Sequence, residues 1–285
     1  LHGQTSRWTA GIFWQRLSER TELRNASDGA VYDFLDSRYV ASTGALFGEY
    51  EIPLADRTAV RVGGRAEQRE STYHDNRGNS EGPDNFMWGA TVSLDHDYSD
   101  ALRLYLAASR GFKGGGVNVS LNIPEAQRTF EPEHLYNFET GFKGAWLNDS
   151  LTWNTSVFAA LRRDVQTDLS SQSDPNDPLT CTYITDNAAR GWNTGLETEA
   201  TYRPSERWLI RIAGSHLDTE YTAADELNSA LEGRQQSQSP HWQYSGKLRY
   251  QINQYYFAEV GLSGKAAYYY QDSHNQRSSP YHLLN

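Results

Sequence analysis

From Tyr255 to Tyr270 the side chains alternate between two faces without a break. One face reads Tyr256, Ala258, Val260, Leu262, Gly264, Ala266, Tyr268 and Tyr270; the other reads Phe257, Glu259, Gly261, Ser263 and Lys265. A period of two belongs to an extended strand and excludes a helix, whose faces recur every ~3.6 residues. The first face is apolar along its length and aromatic at both ends, while the second is mostly polar. A strand that crosses a bilayer needs about 9 to 11 tilted residues, with aromatic girdles at the two interfaces. The segment fits that description.

The pattern recurs along the chain. Trp242, Tyr244, Gly246, Leu248, Tyr250 and Ile252 oppose Gln243, Ser245, Lys247, Arg249 and Gln251. Trp208, Ile210, Ile212 and Gly214 oppose Arg207, Arg211 and Ser215, and Trp192, Leu196, Ala200 and Tyr202 oppose Asn193, Glu197, Glu199 and Arg203. Leu151, Trp153, Val157, Ala159 and Leu161 oppose Thr152, Asn154, Ser156 and Arg162. Near the start, Trp8, Ala10, Ile12 and Trp14 alternate with Arg7, Thr9, Gly11 and Gln15.

Soluble sandwiches alternate too, so the connections decide. Links at Pro53 to Asp56, Tyr98 to Asp100, Asn148 to Ser150, Pro204 to Glu206 and Asn253-Gln254 are short. Between them fall long links at Leu17 to Asp36, Ser71 to Asn85, Lys113 to Glu133, Thr167 to Asn187 and Tyr221 to His241. Strict alternation of short and long links is the asymmetry of an outer-membrane barrel, with tight periplasmic turns and long extracellular loops. The fold class predicted is therefore all-β, a transmembrane antiparallel β-barrel.

Composition agrees. Only 38% of residues are hydrophobic and mean hydropathy is -0.73, with no run of the ~18 to 20 apolar residues a membrane helix needs. In a barrel one residue in two faces lipid, so a low average is expected. Formal net charge is -10, which argues against a general nucleic-acid binder. Cys181 is the single cysteine, which excludes an internal disulfide framework and a cysteine-rich zinc site. The inward faces carry both signs. Glu49, Arg61, Arg65, Glu139, Lys143, Glu197, Glu199, Arg211, Lys247, Arg249, Glu259 and Lys265 are predicted to face the lumen, where they can pair across strands or line water.

About eleven complete strands and the start of a twelfth at Pro280 follow from the pattern. No charged-then-apolar leader opens the chain at Leu1-His2-Gly3, and Pro280 to Asn285 stops as an apolar run begins. We read residues 1–285 as one partial barrel domain of a longer protein, with an incomplete, larger barrel favoured over a closed twelve-stranded one.

Leu102 to Asn118 (LRLYLAASRGFKGGGVN), then Phe130-Glu131-Pro132-Glu133, then Asn137 to Gly144 (NFETGFKG) resembles the TonB-dependent outer-membrane receptors, in particular the ferric-siderophore type. Phe47-Gly48-Glu49-Tyr50 before Asp56-Arg57, Gly195 to Ala200, Leu231-Glu232-Gly233-Arg234 before Pro240, and Tyr268-Tyr269-Tyr270 before Pro280-Tyr281 are similar to further pieces of the family, in family order. The resemblance implies a 22-stranded barrel, about half of it in this chain, whose lumen is closed by a plug domain. It also implies capture of a scarce ligand outside and import driven by an inner-membrane TonB-type complex. The plug, the energy-coupling box and the last strands are not found in this sequence.

For most motifs the bland reading is preferred. Phe112-Lys113-Gly114-Gly115-Gly116 lacks the spacing of a phosphate cradle and reads as a loop base, and the haem-uptake branch's Phe-Arg-Ala-Pro is not matched there. Glu197 and Glu199 lie two residues apart, about 6.6 to 6.8 Å, which could suit a glycosidase. With Arg203 and Arg211 also inward, a lumenal salt-bridge ladder is the preferred reading. The 8 His are scattered, so neither a metal site nor a cofactor is expected, although the tip from Asp174 to Asp177 leaves calcium open. No nucleophile elbow is present and no enzyme activity is expected.

Ligand binding is assigned to the outer loops and upper inner wall, with Phe112, Lys113, Asn118, Tyr183, Arg190, Tyr221 and Trp242 as candidates. Anionic, aromatic iron chelates suit Arg, Tyr and Trp, while Trp242 and Arg190 can equally be interfacial anchors. Three functions follow: an energy-coupled receptor for a ferric siderophore, a passive porin-like channel, or a secreted β-rich glycan-binding protein. Expected partners are the TonB-type complex, an iron chelate, and outer-membrane lipids with lipopolysaccharide. Nucleic acid is not among them.

Overall fold

In the computed structural model, residues 6–27, 30–120, 123–172, 176, 181–224 and 226–285 are described. The strands are β1 (Arg7–Ser27), β2 (Ala30–Ala55), β3 (Thr58–Asp75), β4 (Ser80–Glu81), β5 (Asp84–Ser99), β6 (Leu102–Lys113), β7 (Gly116–Val117) and β8 (Thr129–Phe130). They continue with β9 (Glu133–Trp146), β10 (Leu151–Gln172), β11 (Cys181–Ser205), β12 (Trp208–Ala224), β13 (Trp242–Gln251), β14 (Phe257–Lys265) and β15 (Tyr281–Leu284). Twelve of them form one antiparallel sheet in the order β1-β2-β3-β5-β6-β9-β10-β11-β12-β13-β14-β15, with β4 on β3 and a separate β7-β8 pair. Each long strand pairs with the next long strand in sequence, as in a meander, and the sheet is not closed.

Register puts like faces together. Ile12, Leu46, Ala66 and Trp88 form one row across four strands, and Tyr50, Val62, Val92 and Ala108 form another. These rows are exposed: Ile12 is 82% accessible, Trp8 74%, Phe86 66% and Phe138 64%. Among the described residues no second layer covers them, so water would meet a continuous apolar face, which soluble proteins avoid. The main buried apolar cluster (Val165, Ala188, Ala189, Tyr221 and Leu231) sits at the long-link end instead.

The apolar face has a bilayer's height. On β5, β9 and β11 the outward row runs from one aromatic to another ten positions on: Trp88 to Tyr98, Tyr136 to Trp146 and Trp192 to Tyr202. At about 3.3 Å per residue and a tilt of about 35–45°, ten positions span roughly 23–27 Å, matching the ~25 Å apolar band of an outer-membrane barrel. The segment between those girdles is the membrane-spanning part.

Three expectations about element ends are corrected. The link Leu17 to Asp36 is strand for most of its length, because β1 and β2 stay paired from Arg7↔Glu51 to Ser27↔Ala30. Likewise β10 and β11 run on into the link Thr167 to Asn187, out to Gln172↔Cys181. Beyond the bilayer no lipid meets the outward row of these ribbons, so the strands continue without an apolar outer face, while inner positions such as Leu35, Ser37 and Thr167 are buried. Conversely, the alternating run from Tyr255 to Tyr270 holds strand only over Phe257–Lys265. Past Lys265 the chain turns back on itself, with Ser278 N donating to Tyr268 O at 2.9 Å.

Inward glycines receive aromatic rings from the neighbouring strand. The ring of Phe47 covers Gly11, that of Tyr105 covers Gly141, and that of Phe158 covers Gly195, each across one registered pair. An aromatic shielding a cross-strand glycine restores the packing the glycine lacks. A Cβ at Gly195 would lie 2.6 Å from Phe158 Cζ and 2.7 Å from the His216 carbonyl oxygen, and the latter is backbone that cannot move aside. Gly195→Ala is expected to destabilise the folded barrel by about 1–3 kcal/mol. Urea unfolding in lipid vesicles measures it, and an unchanged midpoint would show that the ring is not seated there.

Candidate functional site

The inward rows form a polar wall that carries most of the predicted lumenal charges. Arg61 Nε donates to Glu51 Oε2 at 3.0 Å and its Nη1 approaches Asp95 at 3.7 Å. Lys247 pairs with Glu259 at 2.8 Å, Arg65 with Glu67, Tyr105 Oη donates to Glu139 at 2.6 Å, and Asn154 donates to Glu199 at 2.9 Å. Lys143 lies 5.6 Å from the Tyr105 ring centre, Arg249 3.8 Å from that of Phe257, and Lys265 4.3 Å from that of Tyr268. Glu49 and Arg211 occupy inward register positions opposite Gly63 and Thr201. A groove of about 660 Å³ runs along this wall, lined by Tyr105, Lys143, Asn154, Ser156, Glu197, Glu199, Gln243 and Lys265 among others. Glu197 and Glu199 share this groove, but Glu199 is engaged by Asn154 rather than by an arginine.

At the long-link end the chain folds over the wall and is pinned there. Glu133, 6% accessible, accepts from Arg162 Nε at 2.7 Å and from the Gln166 backbone N–H at 3.0 Å. Arg162 Nη1 also donates to Gln236 Oε1 at 2.6 Å, which ties the 231–241 segment to β10. Asp272 accepts from Ser237 N at 2.9 Å and Ser237 Oγ at 3.1 Å. Tyr221 is buried beside this network, and burial, with Asp272 next to it, pushes its phenol well above its usual pKa. The alternation puts Arg162 on the inward face, but Gln166, Gln236 and Asp272 go unmarked in the sequence because their partners come from distant segments.

The triple glycine is close-packed. A Cβ on Gly114 would meet Arg69 Nη1 at 2.9 Å, and one on Gly115 would strike the Phe130 carbonyl oxygen, with Asn85 Oδ1 at 2.9 Å. Lack of side chains there lets the segment after β6 pass against β8.

The seven ligand candidates are dispersed. Asn118 and Tyr183 line one cavity of about 410 Å³ with Val117, Phe130, Asp168, Leu169 and Thr185. Within it Asn118 is committed to structure, its amide donating to Gln127 O at 2.8 Å and Thr185 O at 2.7 Å, while Tyr183 is 61% accessible. Phe112 packs by Gly89, Lys113 is exposed at the end of β6, and Arg190 is exposed at a bulge between β11 and β12. Tyr221 is 1% accessible inside the pinned cluster. Trp242 lies on the outward row, its ring centre 5.7 Å from that of His282 and 5.9 Å from that of Tyr244. Asp174 and Asp177 lie outside the described residues. Among the described residues no group of three or more His, Cys, Asp or Glu could hold a metal.

Beyond the band, Asp75 closes the end of β3. It accepts from the backbone N–H of Arg77 and Asn79 at 2.9 Å each, from Asn79 Nδ2 at 2.7 Å and from Tyr73 Oη at 3.1 Å. Partial burial raises its pKa, and those hydrogen bonds, Asn79's first, more than offset that and leave it below the usual Asp value. Burial and the nearby Asp75 push Tyr73 up to about 12. A carboxyl depressed on folding stabilises above its unfolded pKa, and that stabilisation is lost as pH falls through the folded value. Amide protection at Arg77 and Asn79 should therefore be constant at neutral pH and fall below the ordinary Asp range. Asp75→Asn should abolish that acid step in hydrogen exchange; an acid step that persists would assign it to another group.

An unclosed antiparallel meander with an apolar band outside, a charged wall inside and tight and long links at opposite ends defines a segment of an outer-membrane β-barrel. The chain matches the family described as "TonB dependent receptor-like, beta-barrel" over residues 1–285, and it belongs to that family. It is 26% identical to the pesticin receptor of Yersinia pestis across 74% of this chain and 31% of that receptor. The crystal structure of the ferric yersiniabactin uptake receptor FyuA from Yersinia pestis superposes with a TM-score of 0.82 at 20% identity, over 99% of this chain and 43% of that one. The siderophore receptor PiuA from Acinetobacter baumannii gives 0.77 at 14% identity over 98% and 46%, and the copper transporter OprC gives 0.74 at 13% over 98% and 45%. At such identities these structures share the fold. The chain spans about a third of the length of the curated relatives it matches.

Proposed function

We propose that residues 1–285 are part of the barrel domain of an energy-coupled receptor that captures an iron chelate outside the cell and imports it through a TonB-type complex. In this reading the long links face outside and the tight turns face the periplasm. The observation that carries it is the pinned long-link end. The Glu133–Arg162–Gln236 network holds loops inward over a charged wall, where a ligand mouth is needed. Relatives named for pesticin, ferric yersiniabactin and copper support an uptake role, and iron chelates suit the Arg and Tyr side chains near the mouth.

Uptake of radiolabelled ferric siderophores by iron-starved cells, with and without a protonophore, tests this. Binding should survive the protonophore while accumulation stops. Accumulation that continues unchanged would make the protein a passive channel.

A further inference from the structure

The cavity of about 410 Å³ at the long-link end is built by three segments far apart in sequence. Asp168 registers with Thr185 and Ser170 with Tyr183, so these four side chains share one face of the β10–β11 ribbon. Val117 and Phe130 of the β7–β8 pair lie against them, and Gln271 completes the lining. Asn118 fixes the first joint. Its amide donates to Thr185 O at 2.7 Å and its Oδ1 accepts from Thr185 N at 2.8 Å, as a neighbouring strand would. Ser170 Oγ fixes the second, 3.3 Å from Ser273 Oγ and 3.0 Å from His274 Nε2. A Cβ on Gly116 would stand 2.8 Å from Phe130 Cζ, so glycine there lets that ring close against β7. The cavity is preformed, as ligand sites usually are.

Among the described residues, Asp168 is the one charged side chain in the lining. It is exposed and its Oδ1 accepts from Thr185 Oγ1 at 3.1 Å, while its Oδ2 has no hydrogen bond or ion pair among the described residues. Cations on the adjoining segments are engaged elsewhere: Arg128 with Glu81 at 3.6 Å, and Arg234 with the carbonyl oxygens of Gln271 and His274. The link 173–180 carries two aspartates and no lysine or arginine in its sequence. Two aromatic residues, Phe130 and the exposed Tyr183, and the aliphatic Val117, Leu169 and Ile184 supply most of the other walls. A carboxylate beside aromatic rings attracts a cation, through its charge and through the negative faces of the rings, and repels an anion. One carboxylate is too few ligands for a metal ion, whereas an organic cation also gains from the apolar walls.

We propose that this cavity binds an organic cation, a protonated amine carried on an aromatic or aliphatic body, with Asp168 as counter-charge and Phe130 and Tyr183 as aromatic walls. This goes beyond the uptake reading, since such binding needs neither iron nor an inner-membrane complex. In a receptor it makes an amine-bearing arm of the cargo a point of recognition.

Fluorine NMR titration of the purified full-length receptor tests it, with para-fluorophenethylammonium as probe and para-fluorophenylethanol and para-fluorophenylacetate as its neutral and anionic counterparts. The ammonium should bind roughly fivefold tighter than the alcohol, and the carboxylate should bind weakest. Asp168→Asn keeps the shape and an acceptor for Thr185, and should remove that preference. Tyr183→Leu keeps apolar bulk without the ring and should weaken the ammonium about threefold. Asp100→Asn, at the tight-turn end, should bind the ammonium like the wild type, and heat-modifiable migration confirms that each variant is folded. Equal affinity for ammonium and alcohol, ammonium binding unchanged in either cavity variant, or an equal loss in Asp100→Asn would overturn the proposal. With iron and energy coupling absent from the titration, its result is independent of the uptake assay.

Discussion

Val92→Arg should destabilise the folded barrel by about 2–4 kcal/mol in lipid vesicles, while Ser93→Arg, one residue away, should cost far less. Val92 stands midway between the girdle residues Trp88 and Tyr98, is 49% accessible, and is flanked by Val62 and Ala108 on the neighbouring strands. At that depth hydrocarbon surrounds it and no carboxylate is within reach of a new guanidinium. Ser93 faces the wall opposite Arg61 and Ala107, where water and Asp95 are close. The pair of variants separates the two faces of one strand with the same added charge. Equal costs would mean that the outward row is not in lipid.

Glu133→Ala should have the second largest effect, about 2–4 kcal/mol, and it should be confined to the long-link end. The change removes one carboxylate and leaves Arg162 and the Gln166 amide without their acceptor in a buried place. Arg162 is still partly accessible, so water recovers some of the loss, which keeps the expected figure under that for a fully buried pair. Because Arg162 also holds Gln236, the 231–241 segment should loosen with it. Hydrogen exchange should rise over 164–167 and 231–238 and stay unchanged in the band of β5. A uniform rise would instead mean that Glu133 supports the whole sheet.

Much of this architecture was legible in the sequence wherever lipid imposes a pattern. Rows such as Trp242 to Ile252 and Trp8 to Trp14 follow directly from alternation, since an apolar residue on the wet face or a charge on the dry one is costly. The count of eleven strands and a twelfth start matches the sheet from β1 to β15. Outside the band that pressure vanishes. Leu17 to Asp36 reads as a polar loop because no lipid demands an apolar outward row there, yet backbone pairing and contacts such as Arg20 with Asp36 at 2.6 Å continue the strands. The mouth was least legible. Tyr221 looked like an aromatic loop residue free to meet a ligand, and nothing nearby in sequence indicates that Leu231 and Asp272 close over it.

The most direct measurement is a nitroxide scan of β5, with single cysteines at 86 to 98 in a Cys181→Ser background, reconstituted in lipid. Oxygen accessibility should alternate with period two, peak at even positions, and be greatest near Val92, while a water-soluble nickel chelate should favour the odd positions or reach neither row. Absence of alternation, or nickel access equal to oxygen access at Val92 and Leu94, would contradict a bilayer-facing outward row and with it the barrel itself.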